Sequence, residues 1–118
     1  VEGVKIKILE QDIFSLTRKY QYKFKYIIEQ TCFCAIHPSR RKEYEQLVKN
    51  LLKPNGLLIG LWFPLGKKLD EGGPPYGISV NELKNIFSKG WQIVSQKFSN
   101  LSVSSRAGEE ILIIFQKQ

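Results

Sequence analysis

Apolar and polar positions alternate along the chain in two distinct periods. Val4-Lys5-Ile6-Lys7-Ile8-Leu9 alternates at period two and predicts a half-covered strand. Thr17 to Lys23 is polar and basic, a loop or frayed turn, and Phe24 to Ile28 predicts a second strand. Pro38 then suits the first turn of a helix, with His37 or Ser39 at its start. Tyr44, Leu47, Val48, Leu51 and Leu52 follow as a helical stripe, with Arg40, Arg41, Lys42, Glu43 and Glu45 off it. Lys53-Pro54-Asn55-Gly56 predicts the helix end, with Asn-Gly supplying a positive φ. The continuous apolar run Leu57 to Phe63 predicts a strand covered on both faces.

Strand, helix and strand across residues 24–63 make one βαβ unit. Pro64 to Tyr76 is long enough for a binding loop or lid. Ser79-Val80-Asn81-Glu82 has the S-x-x-E capping pattern, and Val80, Leu83, Ile86 and Phe87 give a short amphipathic helix ended by Lys89-Gly90. Trp91 to Phe98 and Glu110 to Gln116 predict two strands around a polar turn, Ser99 to Ser105, and without a helix between them they must run antiparallel. The expectation is a mostly parallel α/β sheet closed by a C-terminal antiparallel hairpin. In such sheets ligands bind beyond the carboxyl ends of the strands. The stretch Tyr26 to Arg41, whose strand stops on Glu29-Gln30-Thr31, is therefore the first candidate rim.

A length of 118 residues confines this to one domain. The net charge of +7 raises the question of nucleic acid, but fourteen of the eighteen basic residues are Lys, spread over every segment. A solvated lysine-rich surface is the reading, with no nucleic-acid partner. No apolar run reaches the roughly 20 residues of a membrane helix, and Val1 to Lys5 has no signal-peptide layout, so no membrane partner and a cytoplasmic location are expected. Cys32 and Cys34 fall on one face of a strand exit, poor geometry for a disulfide and too few ligands for a metal, and read as packing thiols.

The run Ile28-Glu29-Gln30-Thr31-Cys32-Phe33-Cys34-Ala35-Ile36 is followed by Pro38, Arg41 and Tyr44, then by Leu51-Leu52-Lys53-Pro54-Asn55-Gly56-Leu57-Leu58. With Phe63-Pro64-Leu65, Gly73-Pro74-Pro75-Tyr76 and Ser79, Gly90-Trp91, and Arg106 with Gly108 and Glu109, this order resembles the thiopurine S-methyltransferase family over nearly the whole chain. The resemblance implies a Rossmann-like class I methyltransferase fold. It also implies methyl transfer from S-adenosyl-L-methionine to a thiol or other soft nucleophile on a small molecule, by an enzyme that is monomeric when full length.

Asp12 and the Ile13 backbone would then meet the adenine, and Glu29, Gln30 and Thr31 the methionine end of the cofactor. Arg41 and Arg106 match positions on the substrate side, with Phe33, Trp62 and Tyr76 around the acceptor. The residues alone also allow blander roles: Asp12 in a turn, Gln30 and Thr31 as strand-end caps, Arg41 on a solvated helix face, Trp62 in the core. No catalytic base is demanded, since a thiol of pKa about 8.5 is already partly ionised at neutral pH. His37, the one histidine, reads as a helix cap.

Members of that family carry a strand and a Gly-rich turn ahead of the matched segment, and this chain has no Gly-x-Gly. Lys25 stands where the family usually has Asp. Without the family's intervening strands Phe24 to Ile28 should be an exposed apolar edge. The expectation is the C-terminal portion of a longer enzyme. The alternative is a non-catalytic module acting through its basic surface or by edge-strand pairing.

Overall fold

The computed structural model describes residues 3, 5–98 and 108–118. Four strands, β1 (Phe24–Gln30), β2 (Leu52–Trp62), β3 (Trp91–Phe98) and β4 (Ile111–Lys117), form one sheet in the order β1-β2-β4-β3. β1 and β2 pair in parallel, and β4 lies antiparallel to both β2 and β3. Three strands therefore share a direction and β4 is inserted against them, the mostly parallel sheet with a C-terminal hairpin that the sequence predicts. Among the described residues three α-helices accompany it: α1 (Thr17–Tyr20), α2 (Arg41–Leu51) and α3 (Val80–Ile86).

The start of α2 follows from local chemistry. His37 Nδ1 accepts the Ser39 N–H at 3.2 Å, and Pro38–Arg40 makes a 3-10 turn that needs no N–H from the proline. At the other end Lys117 Nζ donates to the carbonyls of Lys49 (2.7 Å) and Leu52 (2.8 Å), bringing a cation to the negative end of the helix. The stripe Tyr44, Leu47, Val48, Leu51 and Leu52 is buried as predicted, and so are Arg41 and Glu45, which lie beside it on the helix.

The covered face of the sheet holds an aromatic cluster. Phe87 stacks on Phe115 at 4.8 Å, Trp62 meets Phe87 at 5.5 Å and Phe33 at 5.4 Å, and Phe33 meets Tyr44 edge-on at 5.2 Å. The Trp62 indole lies over Gly60, where an added Cβ would fall 2.3 Å from Cε2. Glu45 sits beside this cluster, accepting from Trp91 Nε1 (2.8 Å), Lys49 Nζ (2.8 Å) and Lys42 Nζ (3.1 Å).

Three expectations are corrected. Residues 5–10 form no strand, and Ile6 and Ile8 are 81% and 87% exposed; Val4 lies outside the described residues. The alternating pattern is present, but no neighbouring strand accepts its hydrogen bonds, and an unpaired strand does not persist in water. β2 is covered on one face only, its other face (Leu57, Ile59, Leu61) being half-buried, because α2 and α3 flank the same buried side as Leu58 and Trp62. Finally, β2 begins at Leu52 directly after α2, and Asn55 (φ 66°) absorbs the extra residues as a slip in register between Phe24↔Leu52 and Tyr26↔Leu57. The expected apolar edge is there: β1 is a terminal strand, with Tyr26 and Ile28 exposed.

Two outcomes test this packing. Gly60→Ala should lower unfolding free energy by about 2 kcal/mol in urea titration, since overpacking against a buried indole outweighs the gain from losing glycine. For Glu45, burial pushes the carboxyl up, but hydrogen bonds from Lys49, Trp91 and Lys42 together hold it below its ordinary value. A carboxyl lowered on folding contributes stability above its unfolded pKa of about 4.3 and loses it as pH falls through the folded value. The stability gap between the wild type and Glu45→Gln should therefore close on acidification below about pH 4.

Candidate functional site

The carboxyl end of β1 is organised by Glu29. Its side chain is 3% exposed and turns inward, accepting the Cys32 N–H at 3.0 Å and the Phe33 N–H at 3.1 and 3.2 Å. These bonds cap the 3-10 turn Phe33–Ala35 from the strand side. The Tyr44 hydroxyl, reaching across from α2, donates the fourth bond. Burial first, then the Glu29 charge, pushes the Tyr44 phenol well above its ordinary pKa, so it remains a donor. No ion pair to Glu29 occurs among the described residues.

Gln30 and Thr31 are exposed at the same strand end, and Thr31 adopts φ 57° with Oγ1 donating to the Gln30 carbonyl at 2.7 Å. Asp12 caps the turn Ile13–Ser15, its Oδ1 accepting the Phe14 N–H at 2.9 Å. The half-buried Ile13 side chain reaches the core and lines a small apolar recess of about 180 Å³ with Leu16, Ile27, Glu29, Cys32 and Tyr44. The structure thus brings Ile13 and Glu29 together, with Asp12 one residue away, Gln30 closing the strand and Thr31 just beyond it. Burial, then Glu29 and Cys34, pushes the Cys32 thiol up, which keeps it protonated and unreactive at neutral pH. Among the described residues no cluster of three or more His, Cys, Asp or Glu could hold a metal.

The residues matched to the substrate side occupy three different environments. Phe33 (2% exposed) and Trp62 (1%) lie inside the aromatic core, with Trp62 Nε1 donating to the Ile113 carbonyl at 3.2 Å. Arg41 is buried: Nη2 donates to the Gly77 carbonyl at 2.7 Å, Nη1 meets Glu82 at 3.3 Å, and the guanidinium lies 5.1 Å from the Phe33 ring centre. Burial lowers the Arg41 pKa and Glu82 partly offsets this. Tyr76 is half-buried against His37 at 5.5 Å, and its N–H donates to the Cys34 carbonyl at 2.8 Å. Arg106 lies outside the described residues.

The long loop after β2 is consequently tied down. The Ile78 N–H donates to Pro64 O at 3.2 Å, Lys67 Nζ to Pro75 O at 2.7 Å, and Gly77 sits so close to Lys67 O that a Cβ would fall 1.8 Å away. A cleft of about 490 Å³, within the size range of small-molecule sites, opens between Phe63–Lys67, Glu71, Pro75 and Glu109. Sequence reasoning missed Tyr44 as the partner of Glu29, and Gly77 and Glu82 as the partners of Arg41. Tyr44 reads as one member of an apolar stripe, and nothing in the spacing marks its hydroxyl. Tyr44→Phe should lower stability by about 2 kcal/mol in denaturant titration, because a buried carboxylate loses a donor.

The family model for thiopurine S-methyltransferase matches residues 1–117. The chain is 38% identical over 105 residues to "Probable thiol methyltransferase 2" of Arabidopsis thaliana, covering 88% of this chain and 45% of that protein. It is 34% identical over 90 residues to "Thiocyanate methyltransferase 1" of Brassica oleracea, covering 75% of this chain and 39% of that protein. The chain therefore spans under half the length of these relatives. Among solved structures, a SAM-dependent methyltransferase from Archaeoglobus fulgidus superposes with a TM-score of 0.70 at 15% identity, covering 98% of this chain and 69% of that one, a likeness of fold.

Proposed function

The chain belongs to the thiopurine S-methyltransferase family, and from that premise we propose that it carries the C-terminal part of an enzyme transferring a methyl group from S-adenosyl-L-methionine to a small thiol or similarly soft acceptor. The observation that carries this reading is the family match over residues 1–117, which takes in the recess at the end of β1 that Ile13 and Glu29 line.

The residues present fit one side of such a cofactor. Glu29 is a buried carboxylate with its own hydrogen bonds satisfied, no paired cation among the described residues, and apolar walls beside it. That environment suits a sulfonium. When bound, S-adenosylmethionine supplies an electrophilic methyl that the acceptor sulfur takes, leaving a neutral thioether. The chain's part is to orient and to exclude water. The N–H groups of Cys32 and Phe33 and the Tyr44 hydroxyl fix the Glu29 charge, and the surrounding apolar side chains favour the step in which the positive charge disappears.

Ile13 lines the recess with Asp12 next to it, where Asp12 and the Ile13 backbone would meet the adenine, and Gln30 and Thr31 offer exposed polar groups at the strand end. On the acceptor side Tyr76 covers the rim, Arg41 acts as a positioning residue through Gly77, and Phe33 and Trp62 form the packed layer behind it. Arg106 would add a cation to that side. The cradle for the cofactor's carboxylate end would come from the part of the longer relatives that this chain does not span, and the unpaired edge of β1 supports that view. A second reading, a non-catalytic module working through edge pairing, draws on the same exposed edge.

Calorimetry with S-adenosylhomocysteine tests the proposal. Micromolar binding to the 118-residue chain that weakens at least tenfold in Thr31→Pro is the expected result. Absence of binding by a longer form carrying the Gly-rich turn, together with inertness toward thiols, hydrosulfide and halides, would overturn it.

A further inference from the structure

Five lysines far apart in sequence meet at the end of the sheet opposite the carboxyl rim, and we propose that this end docks on an anionic lipid surface. α2 and α3 run from the rim toward that end and carry Lys49 and Lys84 in their last turns. β2 begins there with Lys53 as its second residue, Lys89 stands two residues ahead of β3, and β4 finishes there on Lys117. Hydrogen bonds tie these ends together. Lys49 Nζ donates to the Lys89 carbonyl at 3.0 Å, Lys117 Nζ to the carbonyls of Lys49 and Leu52, and the Gln118 N–H to the Gly90 carbonyl at 2.9 Å. Along the chain these lysines form no run, so their convergence is a property of the fold.

Little at this end offsets the charge. Glu45 pairs with Lys49 at 2.8 Å, whereas Lys53, Lys84, Lys89 and Lys117 enter no ion pair among the described residues. Lys53, Lys84 and Lys89 are exposed, and Lys117 bonds neutral carbonyls at the negative end of α2. Acids gather at the other end: Glu29 near the close of β1, Asp70 and Glu71 on the loop after β2, Glu82 in the first turn of α3, and Glu109 and Glu110 ahead of β4. Arg40, Lys67 and Lys68 stand among them, so the rim is mixed in sign.

The chemistry favours lipid over nucleic acid. All five residues are Lys, a hydrated point charge, where Arg would read phosphate bidentately. α2 and α3 meet this end tip-on, so neither lies across it to enter a groove. Anionic headgroups attract each such lysine without demanding a fixed geometry. The end is built on β2, β4 and β3, not on the β1 edge where strands of the longer relatives would join. Docking there would leave the carboxyl rim facing water, and it does not depend on the proposed methyl transfer.

Vesicle co-sedimentation of the 118-residue chain reads the docking. At about 0.1 M salt, vesicles of about one-third phosphatidylserine should pellet the chain and phosphatidylcholine vesicles should not, and about 0.5 M salt should release it. Lys53→Gln with Lys89→Gln should lower partitioning roughly 25-fold, about fivefold for each lysine. Lys68→Gln with Lys97→Gln removes the same charge from exposed positions at the rim. Lys97 lies most of the length of β3 from Lys89, beyond the screening length of about 10 Å, so this pair should change partitioning less than about twofold. Equal losses in the two double variants would show net charge alone at work and overturn the proposal. So would failure to bind the anionic vesicles, binding to phosphatidylcholine, or retention of a single-stranded oligonucleotide in place of vesicles.

Discussion

The Glu29 carboxylate joins three parts of the chain that would otherwise part company. It stands at the end of β1, holds the backbone of the turn that follows, and receives the hydroxyl of Tyr44 from the helix beyond. A buried carboxylate is costly unless its lone pairs are engaged. Here two N–H groups and a phenol engage them, and the satisfied group dictates where the chain goes after the strand. Phe33 is thereby turned into the aromatic cluster and Cys34 is placed where its carbonyl accepts Tyr76. The rim of β1 and the loop after β2 are thus one connected surface because of a charge that faces inward.

Arg41 performs the matching task one turn earlier on α2. Its guanidinium bridges Gly77 and Glu82, linking the helix to the loop and to the start of α3. A substrate contact from this side chain would have to break bonds to a buried carbonyl, whereas holding the loop requires nothing to move. The same logic applies to Lys67, whose ammonium is spent on Pro75. A loop rich in Gly and Pro is therefore a fixed wall of the 490 Å³ cleft, held by Arg41 from α2 and by its own Lys67.

Much of this was legible in the residues. The Pro38 start, the stripe from Tyr44 to Leu52, the Ser79 cap and the C-terminal hairpin each rest on local chemistry that survives in the structure: Ser79 Oγ accepts the Glu82 N–H at 3.1 Å, as its spacing requires. What was not legible depends on partners far away in sequence. Glu45 looks like one more polar helix residue until Trp91, 46 positions on, brings its indole N–H. Residues 5–10 show the opposite failure: a correct strand period with no strand, because periodicity encodes a face and a strand also needs a neighbour. Trp62 belonged to the core and the acceptor wall equally by sequence, and Gly60 beneath it, which leaves room for the indole, is the local reason it lies inward.

The two faces of the sheet explain why one 118-residue chain can hold a well-packed core and still expose a hydrophobic edge. Leu58, Trp62, Ile113 and Phe115 share a face with α2 and α3, and that half is closed by rings and by ion pairs at Glu45. The opposite face has β-branched residues of the same kind, Ile28 beside Ile59 beside Ile114 across three strands, the first exposed and the other two half-buried. Apolar residues aligned over three strands describe a surface meant to be covered. Only the covered face supports the fold: there the rings and the bonded carboxylate of Glu45 close the core, whereas Tyr26 and Ile28 on the other face remain exposed.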